Sequence, residues 1–524
     1  MRPTNATAEQ ASTAERLPFQ PIWLATLGAV HTLAYVHTRW GWCLSLLALF
    51  GLVAALARQS PWRAAALAWS FGTGWLCAGV WWLFISMHRY GGLSAPLAGM
   101  AVLALAAVLS LYLAAAGWAF ARWRSGRPGW DACLWAALWL LAELARGRLF
   151  TGFPWVASGY AFVDAPLGGL APYVGVYGIG ALAAGSAAWA ALTRADRARG
   201  GSSTSWALAL RHLRPWLALG LLLAAASLLG RIEHTRPAGS LQVTLIQTNV
   251  AQDEKFATER LPQALAWLGE RLQRAGGDLV IAPETAIPLL PDQLEALSPG
   301  YWAALQAHFG QAGRAALVGL PLGDFASGYT NSVAGLSPGA HYRYDKQHLV
   351  PFGEFIPPGF RWFVDMLQIP LGDFSRGPLD APSFEVLGQR VGPNVCYEDL
   401  FGEELAVRFV QAERAPTLLA NVSNIGWFGD TVALPQHLNI SRMRTLELQR
   451  PMLRATNTGV TAIVDHRGRV LARMEPFSAG ALSGRVEGRE GVTPYAAWVG
   501  RFGLWPLGLL AMLVVVLMAS RRAP

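Results

Sequence analysis

The stretch Pro393-Asn394-Val395-Cys396-Tyr397-Glu398 carries an apolar, strand-like segment into a thiol flanked by an aromatic ring and a carboxylate. Upstream lie Pro283-Glu284-Thr285 and Tyr344-Asp345-Lys346-Gln347. A carboxylate, an amine and a thiol in that chain order suggest one covalent active site, if a fold gathers them. A thiol attacks only as its thiolate, which needs a base or a cation beside it. Cys43, Cys77 and Cys133 fall in apolar segments, so Cys396 has no disulfide partner in its own region. Alone it reads as a small buried hydrophobe, Glu284 as a solvated turn residue and Lys346 as a surface lysine. Their order and contexts argue for a site.

Outward from this stretch, Leu241 to Asn249 reads as a strand and residues 255–275 as a helix. Asp278 to Ala282 is a buried strand ending at Pro283-Glu284, followed by a helix at 291–309 and strands at Ala315 to Gly319 and Tyr342 to Tyr344. Strands then precede Cys396 and Asn421, with helices at 400–413 and 433–449. Strands interleaved with helices predict a layered α/β domain over 240–488. Glu284 and Cys396 follow strands, where open sheets expose side chains to a crevice.

The flanks differ in kind. The 524-residue chain is 53% hydrophobic and 14% charged with 23 Trp, which places it among membrane proteins. Apolar runs near the length of about 20 residues that crosses a hydrocarbon core occur at 21–36, 40–57, 63–85, 93–121, 130–145, 168–192, 214–231 and 497–519. These predict a polytopic α-helical membrane domain at 21–235 with seven spans and an eighth, C-terminal transmembrane helix at 497–519. Arg58 and Arg63, then Arg122, Arg124 and Arg127, then Arg194 through Arg214, and finally Arg521 and Arg522 mark alternate loops. Such residues stay on the cytoplasmic side, so both termini are expected there and the soluble domain on the outer face. The net charge of +9 is mostly this topological signal and gives no nucleic-acid footprint. Residues 1–20 lack a signal-peptide pattern and read as a disordered cytoplasmic tail.

Glu284, Lys346 and Cys396, in the contexts Pro-Glu-Thr, Asp-Lys-Gln-His-Leu-Val-Pro-Phe-Gly-Glu and Val-Cys-Tyr-Glu, resemble the nitrilase (carbon–nitrogen hydrolase) superfamily. With the surrounding spans the chain resembles the bacterial apolipoprotein N-acyltransferases. The likeness extends through Gly152-Phe153-Pro154-Trp155, Gly159-Tyr160, Ala171 to Gly175 and Asn421 to Phe428. It implies an αββα sandwich mounted on the membrane domain, at the periplasmic face of a bacterial inner membrane. One departure is visible: where the family often has a Trp after the first strand, this chain has Gln252 to Phe256, leaving Phe256 as its substitute.

Side-chain chemistry assigns provisional roles. Glu284 is suited to take the proton of Cys396, and Lys346 to favour the thiolate and then the oxyanion. The resemblance implies the Tyr397 N–H as a second oxyanion donor. Glu354 either orients Lys346 or assists proton transfer, and Glu398 holds the nucleophile loop, each set against a purely structural hydrogen bond. The segment Arg146 to Tyr160 is the candidate substrate-facing loop, with Arg146 or Arg148 meeting a phospholipid headgroup. Trp155, Phe256 and Trp427 complete the candidate substrate contacts.

The resemblance implies acyl transfer from a membrane phospholipid, through a Cys396 thioester, to the α-amine of a diacylglyceryl-cysteine at the N-terminus of an apolipoprotein, the last step of lipoprotein maturation. The bilayer itself is the remaining partner. No cofactor is expected, because an ester already carries its activation, and no metal, because the ten histidines lack paired-ligand spacing. The alternatives are a membrane-tethered amidase or nitrilase that passes the acyl group to water, and a non-catalytic scaffold. Gly335-Leu336-Ser337-Pro338-Gly339 mimics a serine-hydrolase elbow, but Pro338 has no N–H for an oxyanion hole. It reads as a turn, as does Asp465 to Gly468.

Overall fold

The structure, a computed structural model, describes residues 20–197, 206–310, 314–364 and 373–521. The expected tail at 1–20 lies outside them except for Gln20, which opens the first helix. Up to Leu229 the described chain is mainly helical, with main helices Gln20–His31, Thr38–Leu56, Pro61–Gly79, Ala95–Leu109, Leu111–Trp123, Pro128–Arg148, Ala171–Arg197 and Trp206–Leu229.

Among the described residues, three helical stretches are long and apolar enough to cross a membrane: Thr38–Leu56, Ala95–Trp123 and Pro166–Asp196. The number rises to five if two bent pairs each form one span: Pro61–Gly79 with Leu83–Tyr90, bent by 62°, and Pro494–Phe502 with Trp505–Ser520, bent by 85°. A count of apolar runs does not see such breaks. Gly503, with φ +57°, turns the chain inside the expected 497–519 span, and Gln20–His31 has only 12 residues. Gly175, with φ +64°, interrupts the helical backbone of Ala171–Arg197, and a Cβ there would lie 2.3 Å from the Tyr495 ring.

Among the described residues twelve strands follow: β1 (Thr235–Gln247), β2 (Leu279–Ile281), β3 (Ala315–Asp324), β4 (Gly328–Ser337), β5 (Ala340–Asp345), β6 (Phe384–Val386), β7 (Gln389–Val395), β8 (Leu418–Ser423), β9 (Met452–Thr456), β10 (Ala462–Val464), β11 (Val470–Arg473) and β12 (Gly480–Gly491). They form two six-stranded sheets, β12-β1-β2-β3-β4-β5 and β11-β10-β9-β8-β7-β6. Each is parallel at its centre, β1-β2-β3 and β7-β8-β9, and antiparallel toward its edges. Such centres are covered on both faces. Val243, Leu279 and Leu317 of one sheet meet Val391, Leu418 and Leu453 of the other in a shared core.

The outer face of the first sheet carries Leu261–Arg274 and Tyr301–Phe309 through Leu265, Leu268, Leu272, Leu305 and Phe309. The outer face of the second carries Ala433–Leu448, and there Leu419, Met443 and Met452 join the same apolar core as Leu76, Trp82, Trp155 and Tyr160 of the helical region. The α/β layers and the helices therefore share packed interior.

Three expected helices differ. Residues 291–309 split into Pro291–Leu297 and Tyr301–Phe309 around Gly300, whose φ of +73° is left-handed. Residues 400–413 hold only short turns, Gly402–Leu405 and Ala406–Phe409. The first expected helix begins at Leu261, with Pro262 in its first turn, rather than near 255. Pro338-Gly339 turns the β4–β5 hairpin, and Asp465 to Gly468 turns β10 into β11.

Candidate active site

β7 delivers Cys396 at its end. The residue has φ +50°, a left-handed conformation that costs a β-carbon residue about 1–3 kcal/mol unless its surroundings enforce it. Thr285, beside Glu284, also has φ +50°. Glu284 follows β2 and lies against β3 where Gly319 leaves room: a Cβ at Gly319 would sit 2.3 Å from Pro283 O and 2.8 Å from Glu284 Cα. Lys346 follows β5, its N–H donating to Asn331 O at 2.8 Å.

The tertiary structure converges these strand ends. Lys346, almost wholly buried, places Nζ 2.9 Å from the Glu354 carboxylate and 3.4 Å from Glu284 Oε1. Asn331 Nδ2 donates to Glu284 Oε1 at 2.8 Å and to Glu354 Oε1 at 2.7 Å, spanning the two carboxylates. Glu284 Oε2 accepts the Asn424 N–H at 2.7 Å, and Glu354 Oε2 accepts the Val350 N–H at 2.8 Å. Both carboxylates are thus fixed in place by buried donors from separate strands and loops.

Glu398 clamps the nucleophile turn. Its Oε2 accepts the Val395 N–H at 2.6 Å and the Tyr344 hydroxyl at 2.7 Å. Its Oε1 accepts Gln347 N–H at 2.7 Å and His348 N–H at 3.2 Å, from the loop that bears Lys346. Tyr397 points away from these charges, its hydroxyl donating to Gly152 O of the helical region at 3.0 Å.

Cys396 keeps part of its surface open yet is enclosed by enough protein that desolvation dominates its titration. Burial pushes the thiol up to about 12, the Glu284 charge adds to this, and Lys346 opposes it. At Lys346 burial works against the charge, but the Glu354 and Glu284 carboxylates outweigh it and raise the amine above its ordinary value. The resting site is therefore a neutral thiol beside an ammonium. A thiol in that state beside a carboxylate and a cation is an arrangement that can support nucleophilic acyl chemistry, the proton leaving as the new bond develops.

The sequence-expected residues separate into two groups. Glu284, Lys346, Cys396, Glu354 and Glu398 come together. Arg146 does not face a headgroup: it is buried, paired with Glu143 at 3.2 Å, lies 5.1 Å over the Trp75 ring and donates to Phe153 O at 3.4 Å. Trp155 is also buried, donating through Nε1 to Gln436 Oε1 at 2.9 Å. An internal carboxylate and an internal amide claim side chains that their Gly-rich, aromatic surroundings suggested would face substrate. Arg148 remains accessible, 3.1 Å from Glu403. Phe256 is exposed, and Trp427 is half-buried, edge-on to Tyr90 with ring centres 5.5 Å apart.

Several site residues escaped the sequence reading. Asn331 belongs to a polar run, Thr330 to Ser332, inside a buried strand, and Arg454 interrupts the apolar β9; both are signals of partnered polar groups. Lys255 adjoins Phe256, is buried, and donates through Nζ to Glu284 O at 3.1 Å. Burial lowers it to about 8, while the charges of Glu284 and Cys396 hold it from falling further. Among the described residues no group of three or more His, Cys, Asp and Glu could hold a metal ion.

Residues 27–189 match the profile of the apolipoprotein N-acyltransferase N-terminal domain, and residues 242–492 that of carbon-nitrogen hydrolases. The chain is 49% identical over 525 residues to the apolipoprotein N-acyltransferase of Verminephrobacter eiseniae, covering 95% of this chain and 91% of that one. It is 46% identical over 521 residues to that of Ralstonia nicotianae, with 97% and 94% covered.

The chain belongs to the apolipoprotein N-acyltransferase family.

Likeness of that degree to apolipoprotein N-acyltransferases, nearly end to end, favours an acyltransferase over a hydrolase built from the same catalytic domain. It also gives the helical half a place in the family's enzyme, since the N-terminal domain profile falls wholly within that half.

Proposed function

We propose that the protein transfers an acyl chain from a membrane phospholipid to the N-terminal α-amine of a diacylglyceryl-cysteine in an apolipoprotein, in two steps through Cys396. In the first, the Glu284 carboxylate takes the thiol proton as Cys396 Sγ attacks the ester carbonyl. Lys346 and the Tyr397 N–H stabilise the oxyanion. Collapse expels the lysophospholipid alkoxide, which recovers the proton from Glu284, leaving an S-acyl thioester. In the second, the α-amine attacks the thioester, giving its proton to Glu284. The amide forms, and the thiolate leaves to be reprotonated.

Glu354 positions Lys346 and keeps it charged, and Glu398 holds the Cys396 turn against the lysine loop. The observation that carries this reading is the convergence of Cys396, Lys346 and the Glu284 carboxylate at three strand ends. Phospholipid as donor and diacylated apolipoprotein as acceptor are supported by the family's name and by a site joined to an apolar helical region.

The same proposal divides the chain into a cytoplasmic tail (1–20), a membrane domain (21–235), a periplasmic catalytic domain (240–488) and a C-terminal span (497–519), with about eight passes in all. The arginine distribution supports a reading with both termini in the cytoplasm of a bacterial cell and the catalytic domain at the outer surface of the inner membrane. Arg148, Phe256 and Trp427 are the accessible candidates for substrate contact.

Mass spectrometry of the purified protein incubated with phospholipid alone tests the chemistry. An acyl adduct on Cys396, discharged by a diacylated lipopeptide as N-acylated product, is the expected result. An adduct elsewhere, or release of free fatty acid in place of N-acylation, rejects it.

A further inference from the structure

The carbonyl of Cys396 is held by a residue that has no part in the chemistry above. His437, on the Ala433–Leu448 helix, is wholly buried and lies with Nε2 3.2 Å from Cys396 O. Its Nδ1 lies 3.2 Å from Arg454 Nη2. A carbonyl oxygen only accepts and a guanidinium only donates, so these partners dictate the tautomer: Nε2 carries the hydrogen and Nδ1 is bare. Burial and the Arg454 charge keep the imidazole neutral, far below its usual titration range, as that tautomer requires. Arg454 is held in turn by Asp399 Oδ2 at 3.1 Å and by Ser441. Asn421 Nδ2 adds a longer donation, 3.4 Å, to the same Cys396 carbonyl.

The helical region supplies the other face of this ring. Trp155 stacks on His437 with ring centres 5.5 Å apart and planes 24° from parallel. Its Nε1 donates at 2.9 Å to Gln436 Oε1, which also accepts from Trp82 Nε1 at 3.2 Å. Gln436 Nε2 donates back to Gly79 O at 3.1 Å. Two indoles and a main-chain carbonyl from the helical region thus fix Gln436-His437, and His437 fixes the Cys396 carbonyl.

The consequence follows from peptide geometry. In a trans peptide the C=O and the next N–H point in opposite directions. Pinning Cys396 O toward His437 therefore aims the Tyr397 N–H away from it and holds the left-handed turn that presents the thiol. We propose that His437 is a positioning residue for Cys396, and that Trp155 and Gln436 make the helical region a working part of the active site in addition to a mount for it. For the identity of the attacked bond this rests on the acyl-transfer reading.

The test uses the full-length protein in detergent micelles with dioleoyl phosphatidylethanolamine. It compares wild type with His437→Phe, His437→Gln, His437→Asn and Trp155→Leu. Initial rates of Cys396 acyl-adduct formation are measured against lipid concentration, alongside melting temperature and the rate of Cys396 alkylation by iodoacetamide. His437→Phe is expected to lower the maximal acylation rate about 100-fold, with half-saturating lipid unchanged, as a displaced reacting group does. His437→Gln, whose amide N–H reaches the same carbonyl, is expected to recover to within about tenfold of wild type, whereas the shorter His437→Asn does not. Trp155→Leu is expected to slow acylation about fivefold.

Wild-type rates in His437→Phe, or equal losses in the Gln and Asn variants, would overturn the inference. The Gln–Asn comparison decides alone if the Phe variant does not fold. If wild type itself takes no acyl group, the proposed function fails. Alkylation then judges the positioning role separately: a rate changed in His437→Asn and restored in His437→Gln upholds it, and equal rates reject it.

Discussion

Glu398 Oε1 accepts the Gln347 N–H at 2.7 Å, so a single carboxylate ties the turn after Cys396 to the loop that carries Lys346. The other oxygen takes Val395 N–H and Tyr344 OH, leaving no acceptor position for an amide N–H₂ to replace without loss. Glu398→Gln is expected to destabilise the fold by about 2 kcal/mol through an unsatisfied buried donor. It should also slow acylation, because the nucleophile and its cation lose their common anchor. Thermal unfolding and single-turnover acylation check the two effects, and an unchanged melting temperature would count against the clamp.

Glu284 has opposite effects on ionisation and on turnover. Its charge raises the Cys396 thiol, so Glu284→Gln is expected to lower the thiol pKa and to speed iodoacetamide alkylation at pH 8 by about tenfold. Acyl transfer should nevertheless fall by about 100-fold or more if Glu284 is the proton acceptor of the proposed mechanism. Alkylation slowed in parallel with transfer would show that Glu284 does not act on the thiol in this way.

Asn331 is the donor that lets two carboxylates share one lysine. Asn331→Leu removes both donations, to Glu284 and Glu354, and is expected to cost about 2 kcal/mol in unfolding free energy and to depress the acylation rate. Denaturant unfolding and adduct formation are the measurements. Wild-type values in both would make Asn331 a bystander.

Lys255 gives the pH dependence a specific limb. With a value near 8 it is a cation beside the thiol below that pH and neutral above it, so its support for thiolate fades as pH rises through 8. Lys255→Met is therefore expected to be slowest relative to wild type below pH 8, by about tenfold, and to approach it above pH 9. A ratio of rates flat from pH 6 to 10 would exclude this role.

Arg148 separates headgroup recognition from stability. Its pair with Glu403 is half-exposed on the arginine side, so Arg148→Ala should change stability by less than about 1 kcal/mol. If it meets the phosphate of the donor, the lipid concentration for half-maximal acylation rises severalfold while the maximal rate is kept. An unchanged lipid dependence would leave Arg148 as a structural partner of Glu403.

The layered α/β architecture was legible because strands and helices announce themselves by local periodicity, and the strand-end positions of Glu284, Lys346 and Cys396 because turn residues flank them. Breaks at Gly300, Gly503 and Gly175 were not, since a glycine reads alike in a helix and at a left-handed turn. Arg146 misled for a related reason. Its partners Glu143 and Trp75 are set by how helices rotate against one another, and a buried ion pair has the same letters as a headgroup site.

Read alone, the amino-acid order determined the apolar helical flanks, the mixed α/β centre between them, and a thiol, an amine and a carboxylate at strand ends, because each depends on composition and short-range pattern. Only the tertiary structure decided that Asn331 joins Glu284 to Glu354, that Lys255 lies against Glu284, and that Trp155 and His437 stand behind Cys396. Those contacts cross from 23 to 282 residues of chain, and only the packing of the two sheets and the helical region brings such distant groups within hydrogen-bonding reach.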